Sequence, residues 1–210
     1  HSSGNPTCAE PAGSVNDYSD VPARGAVEFA LDRPRGQIAP CPGCQEGRAT
    51  YIYRITGGDG RSTEELVEAG NYAYAHSCVT SENFPARHFG ARRVREIILL
   101  EFGHDVTSAE AMAEAAQLGL EPPMYEDALY FGIEYPDVQR ERPVVFLHDP
   151  WFGFFGRRDV LCLWSNAGRR ELGLEGFDDP CSRNYRFAFV SPQGRLGAPA
   201  PCEVPRGTGS

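Results

Sequence analysis

Apolar and β-branched residues cluster along this chain in short blocks, which glycine, proline, aspartate and asparagine separate. Each block is shorter than a typical helix and has the alternation or the continuous apolar centre that is typical of a β-strand. One further block, at 25–31, could also form a strand. The blocks that predict strands lie at 50–55, 94–102, 143–147, 160–164, 170–174 and 185–190.

Two capping boxes predict where helices begin. Ser62 is followed three residues later by Glu65, and Thr107 is followed in the same way by Glu110. In each pair the hydroxyl and the carboxylate can bond the other residue's backbone N–H, which satisfies two donors at the start of a helix. The first helix should therefore start after Ser62 and end at Gly70.

The second helix is expected over about 108–118, closed by Gly119. A third helix is expected over about 124–132, because two prolines precede it and Pro136 bounds it. The predicted packing face of the second helix is Ala109, Met112, Ala113 and Ala116, and the predicted apolar set of the third is Ala128, Leu129 and Phe131.

These elements predict an α+β fold, with two main helices packed on a sheet, followed by short strands with long irregular connections. Residues 5–49 are rich in proline, glycine and cysteine and are expected to form a loosely structured N-terminal arm. The folded domain should cover 50–190, and 191–210 should form a C-terminal extension.

Composition narrows the possible partners. The net charge is -9, so the chain lacks the positive surface that nucleic-acid binding requires. No apolar run approaches the roughly 20 residues of a membrane-spanning helix. All 20 basic residues are arginine. Composition does not settle the compartment, and our interpretation leans towards the cytoplasm.

Seven cysteines are present, an odd number, so at least one stays free or pairs between chains. The sharpest motif is Cys41-Pro-Gly-Cys44, whose spacing could hold a zinc ion. Cys8, Cys78, Cys202, His76 or His88 could complete such a site through the fold. A disulfide or structural thiol pair and a redox pair remain alternatives at Cys41 and Cys44.

No nucleophile with an adjacent base, phosphate loop or dinucleotide fingerprint is visible, so we expect binding rather than catalysis. His148 precedes Asp149 at a strand end, where either an active site or a solvated loop could lie. One enzyme alternative rests on Tyr53-Arg54 and the segment 61–70, which is similar to the opening of toxin ADP-ribosyltransferases. The Ser-Thr-Ser strand and the Glu-x-Glu motif of those enzymes are not found in clear form.

The segment 151–184 combines large aromatic residues with short polar ones, between apolar residues at regular steps. Aromatic side chains supply contact area at low entropic cost, and serine, asparagine and aspartate supply adaptable hydrogen bonds. This composition is typical of a recognition surface and also occurs in ordinary cores.

Several motifs resemble those of a family of bacterial proteins that is abundant in candidate-phylum genomes. That family looks like a set of variable (target) proteins of diversity-generating retroelements. The resemblance covers about 70–190 and is most specific in Tyr-Pro-Asp-x-Gln-Arg-Glu, residues 135–141. The other motifs are Gly70-Asn-Tyr-Ala-Tyr74, Thr80-Ser-Glu-Asn-Phe-Pro85, Leu118-Gly-Leu-Glu-Pro-Pro123 and the framework from Arg158 to Tyr185-Arg-Phe-Ala-Phe189.

The resemblance implies a C-type-lectin-like fold, with a mostly antiparallel sheet that displays hypervariable residues to a ligand, either a protein or another surface ligand. No cofactor is implied, apart from the zinc possible at Cys41 and Cys44. Cys162 and Cys181 would then be products of variation rather than a planned disulfide. The implied ligand-binding positions are Trp151, Phe152, Phe154, Phe155, Cys162, Trp164, Asn166, Gly173, Glu175, Asp179, Cys181 and Asn184.

Overall fold

A computed structural model describes residues 50–86 and 92–192. The described helices are α1 (Thr63–Gly70), α2 (Ser108–Gln117), α3 (Tyr125–Glu134) and the single turn α4 (Val138–Glu141). The strands are β1 (Thr50–Gly57), β2 (Tyr74–Ala75), β3 (Arg93–Glu101), β4 (Val144–Phe146), β5 (Trp151–Phe152), β6 (Arg158–Asn166), β7 (Arg169–Gly176) and β8 (Arg186–Val190).

All eight strands belong to one sheet, in the order β1-β3-β8-β4-β6-β7-β2, with β5 added beside β6. The pairs β4·β8 and β2·β7 are parallel, and the remaining pairs are antiparallel. The predicted α+β class and mostly antiparallel sheet are therefore confirmed. Each of the six strands predicted within these residues is found, whereas β2 and β5, of two residues each, are too short to leave a periodic signal.

Alternate residues of the central strands pack into two separate hydrophobic clusters. Ile97 and Leu99 join the cluster on the side of α1 and α3, while Ile98 and Leu100 join the one that contains Ala111 of α2. Successive side chains of a strand point to opposite faces of the sheet. We call the two sides the α3 face and the α2 face. Because apolar side chains cover both, the central strands have a continuous apolar sequence.

Both predicted capping boxes are present. Ser62 Oγ accepts from the Glu65 N–H, and Thr107 Oγ1 accepts from the Glu110 N–H. The return bonds from the two carboxylates are formed as well. The starts of α1 and α2 are therefore decided by residues within one turn of sequence.

The predicted packing face of α2 is wrong. Ala109, Ala113 and Ala116 are exposed and Met112 is only partly buried, whereas Ser108, Ala111 and Ala115 are buried. Alanine lies on several sides of this helix, so hydrophobic periodicity cannot distinguish one stripe from the next. For α3 the prediction holds, since Ala128, Leu129 and Phe131 are fully buried.

A buried arginine joins the helices to β7. The Arg170 guanidinium donates to the Gly70 carbonyl at the end of α1 (2.6 Å), to the Gly132 carbonyl in α3 and to Gln139 Oε1 of α4. Its cationic carbon lies 4.7 Å from the centre of the Tyr72 ring. Carbonyls near helix C-termini carry partial negative charge, which favours a cation there.

Gln139 extends this network to the hairpin of β6 and β7. Its side-chain amide donates to the Trp164 carbonyl (2.6 Å) and to the Glu171 carbonyl (3.0 Å). Trp164 and Glu171 are directly opposite each other in the ladder. The backbone of this pair is therefore fixed from the α3 face. None of the described helices has the length and apolar character that a membrane crossing requires.

Candidate functional site

The long hairpin of β6 and β7 carries five of the implied ligand-binding positions. Eight residue pairs join the strands, from Asp159 opposite Gly176 to Asn166 opposite Arg169. The turn is made by Ala167 (φ 49°) and Gly168 (φ 77°). Positive φ at both central residues gives a two-residue turn that matches the twist of the strands.

Those five positions share one face of the sheet. Cys162, Trp164 and Asn166 alternate along β6, and Gly173 and Glu175 alternate along β7 in neighbouring pairs. Because Cys162 and Trp164 pack into the cluster of the α2 face, alternation assigns the whole set to that face. Their neighbours Leu161, Leu163 and Leu172 are fully buried on the α3 face. We call the exposed and buried side chains on this side of the hairpin the hairpin face: Val160, Cys162, Trp164, Asn166, Arg169, Glu171, Gly173 and Glu175.

Two members of the hairpin face were missed by the sequence reasoning. Arg169 pairs with Asn166, and Glu171 pairs with Trp164, so both lie among the predicted positions. Side chains two residues apart on a strand lie on the same face of the sheet. Arg169 and Glu171 are therefore on the same face as Gly173 and Glu175, and the sequence could have shown this.

Burial changes along the hairpin face. Cys162 is only 4% exposed and Gly173 is buried, whereas Asn166 and Arg169 at the turn are exposed. Trp164 is partly buried, and its Nε1 lies 3.0 Å from where a Cβ on Gly173 would stand. Cys181, also 4% exposed, packs in the same cluster as Cys162. Cys162, Gly173 and Cys181 therefore do not reach the surface as the resemblance implied, because the indole and the 177–185 segment cover them.

The two thiols near the hairpin face are free and protonated. Burial raises the pKa of Cys181 to about 12, with the charges of Glu175 and Asp179 adding to the rise. Burial also raises the pKa of Cys162 well above its usual range. Because the thiolate is the reactive form of cysteine, neither side chain is a nucleophile at neutral pH.

Glu175 is the most protected carboxylate of the candidate positions. Burial raises its pKa, and the negative charge of Asp179 raises it further. The Tyr185 hydroxyl donates to Glu175 Oε2 at 3.4 Å. This contact engages Glu175 within the protein and separates it from the exposed end of the hairpin.

The segment 151–156, which we call the aromatic loop, precedes β6. Phe152 is 68% exposed, and Phe155 is fully exposed with φ of 60°. Trp151 lies on the α3 face instead, with its ring 5.7 Å from that of Phe84. Trp151 therefore contributes mainly to the core. Phe154 lies in the turn, and its side chain is outside the described part of the structure.

Arginine–aspartate pairs fix the base of the aromatic loop. Arg157 contacts Asp159 (2.9 Å) and the predicted position Asp179 (3.3 Å). Arg158 Nε donates to Asp178 Oδ2 (2.9 Å), and its guanidinium carbon lies 4.8 Å from the centre of the Phe177 ring. The carboxylates Asp178 and Asp179 and their arginine partners all remain largely exposed, so the base of the loop presents charges of both signs.

The candidate positions thus form two accessible ends joined by a buried centre. Phe152, Phe155 and Asp179 lie at the loop end, and Trp164 and Asn166 lie at the turn end. Eight residue steps of β6 separate the two ends, about 26 Å at roughly 3.3 Å per residue. Asn184 is exposed in the turn before β8, where its N–H donates to Ser182 Oγ at 3.4 Å.

No known protein family, curated protein or solved structure matches the chain.

His148 fits neither of its two predicted settings. It is 2% exposed, its Nε2 accepts from the Leu161 N–H (2.9 Å), and Nδ1 lies 2.8 Å from the Asp149 carbonyl. Burial lowers its pKa to about 4. The imidazole is thus a neutral core group that holds β6.

Only some of the residues behind the enzyme and zinc alternatives lie in the part of the chain that the structure describes. Arg54 forms a surface ion pair with Glu96 of the neighbouring strand (2.9 Å). Cys41 and Cys44 lie outside the described residues, and within 50–86 and 92–192 no three metal-binding side chains cluster. Cys78 is disulfide-bonded.

Proposed function

We propose that this chain is a non-covalent binding protein that recognises a protein partner through the hairpin face and the aromatic loop. In this proposal the scaffold is C-type-lectin-like, and the chain is a variable protein diversified by a retroelement. The observation that carries it is the alternation along β6 and β7. Five positions named by the resemblance share one side of the hairpin, while residues between them fill the core.

Such a hairpin separates recognition from folding. The β6–β7 ladder consists of backbone hydrogen bonds, which do not depend on side-chain identity. Leu161, Leu163 and Leu172 hold the opposite side, and Gln139 fixes the backbone at Trp164. Substitutions at exposed positions usually change stability by less than about 0.5 kcal/mol. The accessible ends could therefore change without loss of the fold.

A protein partner is favoured by the chemistry of the loop end. Phe152 and Phe155 are large exposed aromatic side chains on a short loop closed by the Gly153 N–H to Arg157 carbonyl bond (2.9 Å). Aromatic side chains that enter pockets of a partner dominate the energy of many protein interfaces. The net charge of -9 argues against a nucleic acid.

The diversification part of the proposal is tested in the DNA around the gene. We expect a reverse-transcriptase gene and a near-copy of the segment encoding 151–184. That copy should differ from the gene mainly at template adenines. A complete genome without such a copy would rule out the retroelement but would leave the binding proposal intact.

The binding part is tested with two display libraries. The first randomises the accessible positions Phe152, Phe155, Trp164, Asn166, Asp179 and Asn184. The second randomises the matched framework positions Val144, Leu161, Leu163, Leu172, Phe187 and Phe189. We expect most members of the first library to stay protease-resistant and to yield binders against purified proteins, and most members of the second to unfold. Loss of folding in both libraries, or a folded first library without binders, would contradict the proposal.

A further inference from the structure

We propose that Trp164 and Glu171 at the turn end of the hairpin face form a receptor for an arginine side chain of the protein partner. The inference deepens the proposed function and rests on its protein-binding face. It assigns a chemical class to what the turn end recognises, and it gives Glu171, which the sequence reasoning missed, a direct role in binding.

The indole supplies a flat apolar surface. Trp164 is partly buried, and Nε1 approaches the Cα of Gly173 so closely that a Cβ there would stand 3.0 Å away. The absence of a side chain at Gly173 lets the indole lie across β7. A tryptophan ring held in this way can accept a cation on its open side, since the ring face is electron-rich.

Glu171 supplies an unused carboxylate beside that ring. The residue lies directly opposite Trp164 and is 8% exposed. Its carboxylate has no hydrogen bond or ion pair with any part of the chain that the structure describes. The rest of the side chain is packed, but the carboxylate oxygens stay reachable from solvent and lack a charged partner among the described residues. A positively charged ligand group would supply that partner.

The receptor is rigid on its inner side. The Gln139 amide donates to the backbone carbonyls of both Trp164 and Glu171, and Arg170 holds Gln139 Oε1 at 3.1 Å. A fixed pair of groups loses little entropy when a ligand binds.

A guanidinium fits these two groups better than an ammonium. It is planar and can stack on the indole while its fork donates two hydrogen bonds to the carboxylate. The overall charge of -9 adds a favourable long-range field for a basic partner. Arg169 lies one pair closer to the turn on the same face, without an ion pair to Glu171 within 4 Å. Its charge should weaken the binding of a cation.

The test uses N-acetylarginine amide as the probe, with ligand-observed NMR at low ionic strength. N-acetylcitrulline amide is the matched neutral control, because it has nearly the same shape without the charge. We expect saturable binding of the arginine probe with a Kd on the order of 1 mM, and at least about tenfold weaker binding of the citrulline probe.

Three variants locate the site. Glu171→Gln should weaken arginine binding by about tenfold, and Arg169→Gln should tighten it by about twofold. Glu121→Gln is the matched control, because Glu121 is an exposed glutamate that lies after α2 and outside the hairpin face, and it should change the Kd by less than about twofold. Thermal melting of each variant checks folding. The comparison of arginine with citrulline on the unchanged protein decides the matter even if a variant unfolds.

Equal binding of the two probes, no saturation at about 50 mM, or an unchanged Kd in Glu171→Gln would overturn the assignment. Those results would leave the library experiment unaffected, so the receptor and the general binding function fail separately. If the arginine probe binds but the first library yields no protein binders, the arginine site stands and the proposed protein-binding function is rejected.

Discussion

At the scale of single residues, burial sets the chemistry of several groups that look reactive in the sequence. His148 follows a strand and precedes an aspartate, yet both ring nitrogens are engaged within the core. Cys162 and Cys181 are thiols kept protonated by burial. Glu171 is the contrary case, because its side chain is mostly packed while its carboxylate stays reachable from solvent and has no partner among the described residues. Neighbours from distant segments, rather than residue type, distinguish these cases.

His148 should make stability depend on pH. Its pKa is about 4 in the folded chain and near 6.5 when exposed, so the folded state favours the neutral ring. The resulting stability is fully present above about pH 6.5 and is lost as the pH falls towards 4. The difference corresponds to about 3 kcal/mol.

Urea unfolding of the wild type and of His148→Gln at pH 7.0 and pH 4.5 measures this dependence. Burial raises the pKa of Asp127 to about 6, which shifts stability in the opposite direction, and the comparison with the variant removes that contribution. Equal losses of stability in both proteins on acidification would contradict the assignment.

At the scale of elements, side chains rather than long helix interfaces hold the hairpin in position. Arg170 reaches carbonyls of α1 and α3, and Gln139 of α4 reaches two carbonyls of the hairpin. The Arg170 contacts satisfy helix-end carbonyls that would otherwise be buried without a donor, whereas Gln139 adds a second donor to carbonyls of the β6–β7 ladder. The geometry of the hairpin face therefore depends on elements that lie on the other side of the sheet.

Replacing Arg170 should destabilise the protein strongly. Arg170→Ala leaves the carbonyls of Gly70 and Gly132 and the Gln139 side chain without donors, and a cost of at least about 3 kcal/mol is expected. Arg170→Lys should not restore stability, because an ammonium cannot span three acceptors in a plane. Urea unfolding gives the free energies. The exposed neighbour Arg169→Ala is the control and should cost less than about 0.5 kcal/mol.

The packing side of α2 can be tested with a single residue type. Ala111 is fully buried, while Ala113 two residues further is exposed. Ala111→Leu should destabilise by about 1–3 kcal/mol through overpacking, and Ala113→Leu should change stability by less than about 0.5 kcal/mol. Thermal unfolding of both variants measures the difference. A larger loss of stability in Ala113→Leu than in Ala111→Leu would support the packing face of α2 that was predicted from the sequence.

At the scale of the whole molecule, one sheet covered on both sides links the candidate surface to global stability. Cys162 lies in the middle of β6, between β4 and β7, and its thiol is covered by the Trp164 indole and the 177–185 segment, so the buried centre opens only if this covering moves away. The same covering leaves two separate contact regions about 26 Å apart. A single large partner could span both, and a small ligand could reach only one.

The free thiols should report this opening. Alkylation by iodoacetamide at pH 8, mapped by mass spectrometry to Cys162 and Cys181, is expected to be slow in the native protein. It should become rapid in denaturing urea, and the midpoints for both residues should coincide with the unfolding transition. Rapid labelling of either thiol under native conditions would show that the hairpin centre opens locally.

The sequence by itself determined the elements. Spacing within a few residues predicts every strand longer than two residues, the capped starts of α1 and α2, and the apolar side of α3. The alternation of side chains along β6 and β7 also follows from the sequence. Glu171 and Arg169 could therefore have been assigned to the same face as Gly173 and Glu175.

Only the tertiary structure decided what those elements meet. That Glu171 lies opposite Trp164, that Arg170 is held by α1 and α3, and that Ala111 rather than Ala113 is buried depend on contacts between segments far apart in sequence. Sheet order and the side taken by each helix set these contacts, and local periodicity carries no information about either. The physical reason is that burial belongs to the packed whole, while secondary structure is largely specified by neighbours along the chain.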